Sequence, residues 1–262
     1  MNLHFVLVLA ALVVRPAAAM FGAGSAVRQL TAASFDRVLD RTSQPTFVKF
    51  YAPWCGHCQS LAPEYERAAA RTRGIARFYA VNCDEDANRG LCARHNVEGF
   101  PTLKVFTDKR TKRGRRRAVD YQGARKASAM AGFARSLLPS LSTQLDAAGL
   151  DAFVAAGDLP KAVLLTERAK ASDLWRGVAA RFDRRVQFGH LVDPDKAVLE
   201  RLGAGALPAV VVFPDPADPA AAELYAGEPK YLPLAKFIQS AIAAHGPRRP
   251  AAADTPVAHD EL

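Results

Sequence analysis

Two cysteines, Cys55 and Cys58, are separated by two residues in the run WCGHC. Segment 46–51 before them is apolar and rich in β-branched and aromatic residues, and segment 59–73 after them is compatible with a helix. A dithiol at a strand-to-helix junction suits thiol–disulfide exchange, because the free amides and dipole of the helix favour a thiolate at the first cysteine. An inert bridge or half a zinc knuckle shares the spacing, but this context and the intervening His57 favour redox chemistry.

Both ends of the chain carry targeting patterns. Residues 5–14 are an unbroken apolar run that leads to three alanines at 17–19, which predicts a signal peptide cleaved after residue 19. No later segment is long and apolar enough to span a bilayer. The last four residues form a retrieval signal of the endoplasmic reticulum: His259, Asp260, Glu261 and Leu262. We therefore expect the chain in the lumen of that compartment, where its four cysteines can form lasting disulfides.

The formal net charge of +9 is concentrated in segment 109–117, where seven of nine residues are Lys or Arg. We interpret this segment as a solvated hairpin loop. A nucleic-acid partner is not expected, because no aromatic residues are interleaved with the cations and the predicted compartment lacks nucleic acid. Steering of acidic client proteins, or of an acidic lumenal partner, is the alternative.

Strand-like and helix-like segments alternate along the chain, which predicts an α/β fold. In the first half we expect strands at 28–30, 46–51, 76–82, 102–106 and 118–121. The same order repeats after a seam at 139–146, this time without cysteines. The predicted organisation is a signal peptide at 1–19, a first domain at 20–139, a second domain at 140–245 and a disordered tail at 246–262.

Four features together resemble the protein disulfide isomerases. They are the WCGHC run, the segment GFPT at 99–102, the turn YxGxR at 121–125 and the terminal HDEL. The match spans about residues 27–138, and the second half resembles the family in the order of its elements and in Leu-Pro at 207–208. The resemblance implies two tandem thioredoxin-like domains, each a mixed central sheet flanked by helices, the first redox-active and the second inactive.

The resemblance also implies roles for the residues around the dithiol. Cys55 is the expected nucleophile, and Cys58 is the more buried resolving thiol that attacks the mixed disulfide. Arg125 resembles the family's mobile arginine, which lowers the pKa of the second cysteine, although a solvated arginine is the alternative. The expected catalytic group is Cys55, Gly56, His57, Cys58 and Arg125. The expected substrate-binding group is Trp54, Phe100 and Pro101, in which a cis-proline leaves the preceding backbone free to pair with an extended client.

One position departs from the family pattern. Lys49 stands where the family has a buried glutamate, and Ala80 replaces the lysine that usually pairs with it. We therefore expect proton transfer at Cys58 to run through water or through Lys49. The alternative is a Lys49 side chain that reaches solvent and does nothing.

Cys83 and Cys92 complete the set of cysteines. Small members of the family carry a similar pair, which implies a structural disulfide worth on the order of 2–3 kcal/mol. A bridge that opens and closes with redox conditions is the alternative. A zinc site of all four cysteines is disfavoured, because the second pair lacks the short spacing of a knuckle.

We expect a lumenal thiol–disulfide oxidoreductase, a protein disulfide isomerase that forms and rearranges disulfides in secretory proteins without a cofactor or metal. The expected partners are unfolded or misoxidised secretory proteins, a lumenal oxidase or glutathione, and the retrieval receptor. Two alternatives stay open. One is a client-binding chaperone or escort whose dithiol is secondary, and the other is a lumenal reductase of misfolded clients.

Overall fold

The structure is a computed structural model that describes residues 20–245. The predicted signal peptide and the HDEL signal lie outside these residues. Within 20–245, no helix has the length and apolar character needed to cross a membrane.

The first domain is built on a five-stranded mixed sheet. Its strands are β1 (Arg28–Gln29), β2 (Thr46–Tyr51), β3 (Arg77–Asn82), β4 (Thr102–Arg110) and β5 (Arg116–Asp120). They lie in the order β1-β3-β2-β4-β5, with the first three parallel and the last two antiparallel to their neighbours. Its helices are α1 (Ala32–Asp40), α2 (Gly56–Arg71), α3 (Asp86–Arg94) and α4 (Ala127–Ser136).

The central strand β2 is buried along its whole length, because helices cover both faces of the sheet. Its side chains alternate between the two faces, as the period of a strand requires. Phe47 and Tyr51 pack in a core with α2 and α4. Val48 and Phe50 pack in a second core with α1 and α3. Lys49 shares the face of Phe47 and Tyr51, and so points toward α2.

The second domain repeats this arrangement. Its strands are β6 (Ser142–Leu145), β7 (Lys161–Thr166), β8 (Gln187–Val192), β9 (Ala209–Phe213) and β10 (Glu223–Tyr225). Its helices are α5 (Ala147–Ala155), α6 (Asp173–Phe182), α7 (Lys196–Arg201) and α8 (Tyr231–His245). The strand order β10-β9-β7-β8-β6 is that of the first sheet, strand for strand. Strand β6 lies within 139–146, the stretch that the sequence pattern indicated only as a seam.

The interpretation of the basic segment 109–117 as a solvated loop is wrong at Arg116. Strand β4 continues to Arg110 and β5 begins at Arg116, whose side chain is buried while the other six cations are exposed. The β4–β5 ladder shifts register between Phe106 and Arg110. The Arg116 guanidinium donates to the carbonyl oxygens of Phe106 and Thr107 in that stretch, each at 2.7 Å. Backbone acceptors of the irregular ladder are thus satisfied by a side chain instead of a strand.

The two domains touch through backbone. Gly177 of α6 packs against the carbonyl of Gly74, and a Cβ at Gly177 would lie 2.3 Å from that oxygen. Gln44 Nε2 donates to the Gly74 carbonyl at 2.7 Å and to the Gly177 carbonyl at 3.0 Å. The Ser43 amide donates to the Ala180 carbonyl at 2.8 Å. All these contacts lie where β2 begins, whereas the dithiol follows the end of β2, roughly 17 Å away at about 3.3 Å per residue.

Candidate active site

The dithiol lies at the N-terminus of α2. Cys55 is the N-cap residue, with extended backbone, and its Sγ accepts the amide N–H of Cys58 at 3.2 Å. The cysteine side chain therefore takes the place that a serine or aspartate oxygen has at most helix starts. A sulfur held there faces the positive end of the helix dipole, which favours a negative charge on it.

The surface around Cys55 combines one exposed ring with a backbone acceptor. Trp54 is 68% exposed, and its ring meets that of Phe100 edge-on, with centroids 6.1 Å apart. The Phe100 carbonyl lies 3.6 Å from Cys55 Sγ, and the Phe100–Pro101 peptide is cis. His57 is exposed in the first turn of α2, and a Cβ at Gly56 would meet no atom within 4 Å. Cys55 itself is 8% exposed, so a client reaches its sulfur at the edge of this surface.

Cys58 differs from Cys55 in its surroundings. It is 0% exposed, and burial raises the pKa of its thiol to about 12. This pKa value includes a smaller rise from its contact with Cys55 and a reduction caused by the positive charge of Lys49. Burial thus keeps the Cys58 thiol protonated until the resolving step, as a resolving role requires.

Lys49 lies below the start of α2 and is 0% exposed. The alternative in which it reaches solvent is therefore wrong. Its Nζ donates to the Cys58 carbonyl at 2.8 Å and lies 5.0 Å from the ring centroid of Phe21. The rings of Tyr65 and Tyr51 follow at 5.8 and 5.9 Å. Burial lowers the pKa of Lys49 to about 8.

Arg125 lies at the edge of the site, on the side of Pro101. Its Nη2 is 3.5 Å from the Pro101 carbonyl, and its side chain is exposed. The turn before it depends on Gly123, because a Cβ there would lie 2.7 Å from the Tyr121 hydroxyl, which donates to the Ala124 carbonyl. The structure thus places Arg125 beside the proline.

Cys83 and Cys92 are joined in a disulfide with a Cα–Cα distance of 6.0 Å. Cys83 follows β3 and Cys92 lies on α3, so the bridge ties this helix to the end of the sheet. Both belong to the core formed with α1 and α3, on the opposite face from Lys49. Among residues 20–245, no group of three or more side chains is arranged to hold a metal ion.

His95 is a half-buried titratable residue that the sequence pattern did not single out. Its ring lies against three phenylalanine rings, at 5.0 Å from Phe35, 5.3 Å from Phe106 and 5.7 Å from Phe50. Burial lowers its pKa to about 4, so the ring is neutral at pH 7. The residue follows α3 without any periodic signal, and nothing in the sequence marks its ring as packed among phenylalanines.

Comparison with known proteins agrees with this geometry. The family model described as Thioredoxin matches residues 26–136. A Dictyostelium discoideum protein named as a protein disulfide-isomerase is 35% identical over 190 residues, which cover 72% of this chain and 46% of that protein. Protein disulfide-isomerase 2-3 of Arabidopsis thaliana is 30% identical, with coverage of 77% and 51%. Protein disulfide-isomerase of Humicola insolens is 36% identical, with coverage of 76% and 37%.

The chain belongs to the protein disulfide isomerase family. It spans about half the length, or less, of these relatives. The expected fold class is confirmed, since the two domains are thioredoxin-like and each has a mixed sheet between helices. In the second domain the loop at 167–172, between β7 and α6, corresponds to the dithiol loop between β2 and α2, and the sequence places no cysteine there.

Proposed function

We propose that this chain is a thiol–disulfide oxidoreductase that forms and rearranges disulfide bonds in secretory proteins of the endoplasmic reticulum. The observation that carries the proposal is the contrast between the two thiols. Cys55 is 8% exposed and its Sγ accepts an amide hydrogen bond at the helix N-terminus, whereas Cys58 is 0% exposed and holds its proton. Such a pair is suited to attack by the first sulfur and resolution by the second.

The proposed reaction is a pair of exchanges. The Cys55 thiolate attacks one sulfur of a client disulfide, the client S–S bond breaks, and one client thiolate leaves. Cys58 then loses its proton, and its thiolate attacks Cys55 Sγ and displaces the second client thiolate. The reverse sequence oxidises a client dithiol and leaves Cys55 and Cys58 reduced. A lumenal oxidase or oxidised glutathione then takes two electrons from this dithiol, which restores the Cys55–Cys58 disulfide.

The client is proposed to lie along the surface next to Cys55. Trp54 and Phe100 offer apolar rings, and the backbone at Phe100 lies within reach of a strand bound over the sulfur. His57 and Gly56 leave that face open, and Arg125 holds the Pro101 side of the site. The docking of the second domain at the far end of β2 leaves this surface uncovered.

The proposed organisation places the active domain at 20–139 and the redox-inactive domain at 140–245. We infer that the second domain fixes the orientation of the first or supports client binding, since it carries no cysteine. The proposed targeting signals are the signal peptide at 1–19 and the retrieval signal HDEL at 259–262. Deletion of 259–262 is expected to release the protein into the culture medium, and full retention of the truncated chain would contradict the retrieval role.

Refolding of reduced, denatured ribonuclease A in a glutathione buffer tests the activity. The wild-type chain is expected to restore ribonuclease activity, Cys55→Ser to abolish the gain, and Cys58→Ser to accumulate a mixed disulfide visible on a non-reducing gel. Full ribonuclease maturation by the Cys55→Ser/Cys58→Ser double variant would favour the chaperone alternative. A reduction potential near −270 mV instead of about −180 mV would favour the reductase alternative.

A further inference from the structure

A buried ammonium next to a dithiol is energetically unfavourable unless something offsets its lost hydration. Lys49 is 0% exposed, and its Nζ donates to the Cys58 carbonyl at 2.8 Å and contacts Met20 Sδ at 3.1 Å. The neighbouring residue on β3 is Ala80, which offers no charge. On β4 the register partner is Leu103, also uncharged. The cation is therefore sealed among apolar groups and a single carbonyl dipole.

The titratable groups that face Lys49 are two tyrosines and two cysteines. From β2 it is faced by Tyr51 and from α2 by Tyr65, and burial raises the pKa of both phenols, so both are neutral at pH 7. From the start of α2 come Cys58 and Cys55, whose negative charges raise the pKa of Lys49 against the effect of burial. Among the residues described, the groups whose negative charge can stabilise this ammonium are therefore the two cysteines in their ionised form.

Resting on the proposed exchange activity, we propose that Lys49 is a positioning residue whose ammonium, from beneath the active-site helix, stabilises the Cys55 thiolate of the reduced pair and the Cys58 thiolate when it forms in the resolving step. Stabilising the thiolates stabilises the reduced form, so the disulfide form becomes a stronger oxidant. Because the carboxylate usual at this position is replaced by a cation, Lys49 acts through its charge and not as a proton acceptor.

The protonation state of Lys49 decides whether it acts through its positive charge or as a base toward Cys58. With a pKa of about 8, Lys49 holds its proton at pH 7 and has no free lone pair. In the resolving step Cys58 therefore releases its proton to water. Its thiolate attacks Cys55 Sγ, the bond from Cys55 to the client sulfur breaks, and the client leaves as a thiolate. One disulfide replaces another, and the ammonium remains protonated throughout.

The reduction potential of the Cys55–Cys58 pair, titrated against glutathione at pH 7, tests this role. Because a neighbouring opposite charge shifts a pKa by about one pH unit or more, Lys49→Met is expected to lower the oxidising equilibrium constant roughly tenfold, or about 30 mV. Lys49→Arg restores the charge and is expected to restore most of the potential. Lys161→Met is the matched control, since Lys161 is also 0% exposed but lies in the second domain. An oxidising equilibrium constant of Lys49→Met within twofold of wild type would overturn the inference.

A second measurement uses the unaltered protein, in case a variant does not fold. Coupling between two sites is reciprocal, so an ammonium that stabilises the thiolates must itself be stabilised by them. With lysine labelled by carbon-13 at Cε, the Lys49 signal is expected to titrate at a higher pH in the reduced protein than in the oxidised protein. Identical titration in the two redox states would overturn the inference.

Parallel refolding assays separate this inference from the proposed function. If wild type matures ribonuclease A and Lys49→Met leaves the potential unchanged, the inference about Lys49 fails and the proposed function stands. If wild type does not mature ribonuclease A while Lys49→Met lowers the oxidising equilibrium constant tenfold, the electrostatic role stands and the proposed function fails.

Discussion

Replacing Lys49 by methionine is expected to make the folded protein more stable, even as it weakens the dithiol chemistry. Burial lowers the pKa of Lys49 from 10.5 to about 8. Each pH unit of such a change corresponds to about 1.4 kcal/mol, so keeping the ammonium charged in the folded state at pH 7 costs about 3 kcal/mol. Methionine has a similar length, no charge, and neighbours such as Met20 and Phe21 that accept a thioether.

Part of this gain is offset. The substitution removes the hydrogen bond from Nζ to the Cys58 carbonyl, which is worth about 1 kcal/mol. The expected net stabilisation at pH 7 is therefore about 2 kcal/mol. Its pH dependence has a definite sign: between pH 8 and 10.5 the unfolded chain holds the lysine proton more firmly than the folded chain. Wild-type stability thus rises across this window, and the difference between the two proteins closes above it.

Urea unfolding of the oxidised proteins at pH 7 and at pH 10.5 measures this effect. The Lys49→Met midpoint is expected to exceed that of wild type at pH 7 with an unchanged m-value. Lys170→Met is the control, because Lys170 is exposed and its loss should leave the midpoint unaltered. A Lys49→Met protein that is less stable than wild type at pH 7, or a difference independent of pH, would refute the reasoning.

Two further predictions concern packing and acid stability. Gly177→Ala places a Cβ 2.3 Å from the Gly74 carbonyl, so we expect the domains to separate in small-angle scattering while glutathione exchange at the distant dithiol is retained; unchanged scattering would count against the backbone contact. Burial lowers the pKa of His95 to about 4 from 6.5, so the stability that depends on the neutral ring is lost as pH falls from 6.5 through 4. His95→Phe should flatten the urea midpoints across that range, and an unaltered slope would contradict this.

The dithiol loop was predictable because its signals are local. A buried apolar strand at 46–51, a turn and a helix start fall within twenty residues, and the observed β2 has those same bounds. Strand β6 escaped prediction for the opposite reason. It has four residues, three of them polar, and pairs with β8, whose matching residues lie 46 positions later, so its strand character comes from the partner.

Arg116 shows a second limit of sequence reasoning. Seven cations stand in one short segment, and the sequence gives no means to tell the buried one from its neighbours. The difference arises from the register shift between β4 and β5, which turns one guanidinium inward to a set of carbonyls. The pairing of two strands thus decides the environment of Arg116, while its sequence neighbours are nearly all cations like itself.

Lys49 lies between these cases. The sequence marks it as a departure from the family, yet its burial depends on Phe21 and Met20, which precede the first strand and fold back over the ammonium. Nothing in the sequence around Lys49 indicates this packing. Ala80 was identified as its neighbour on the next strand, and the register of β2 and β3 places the two residues side by side.

The contact of Gly177 with the Gly74 carbonyl, bridged by the Gln44 amide, contains no ionisable group. Neither acidity nor ionic strength acts on neutral amides packed against each other at this distance. The steric fit at this point is therefore independent of pH, whereas the Ser43–Asp183 hydrogen bond and the Arg135–Asp173 ion pair join the same two domains through groups that acid and salt can weaken.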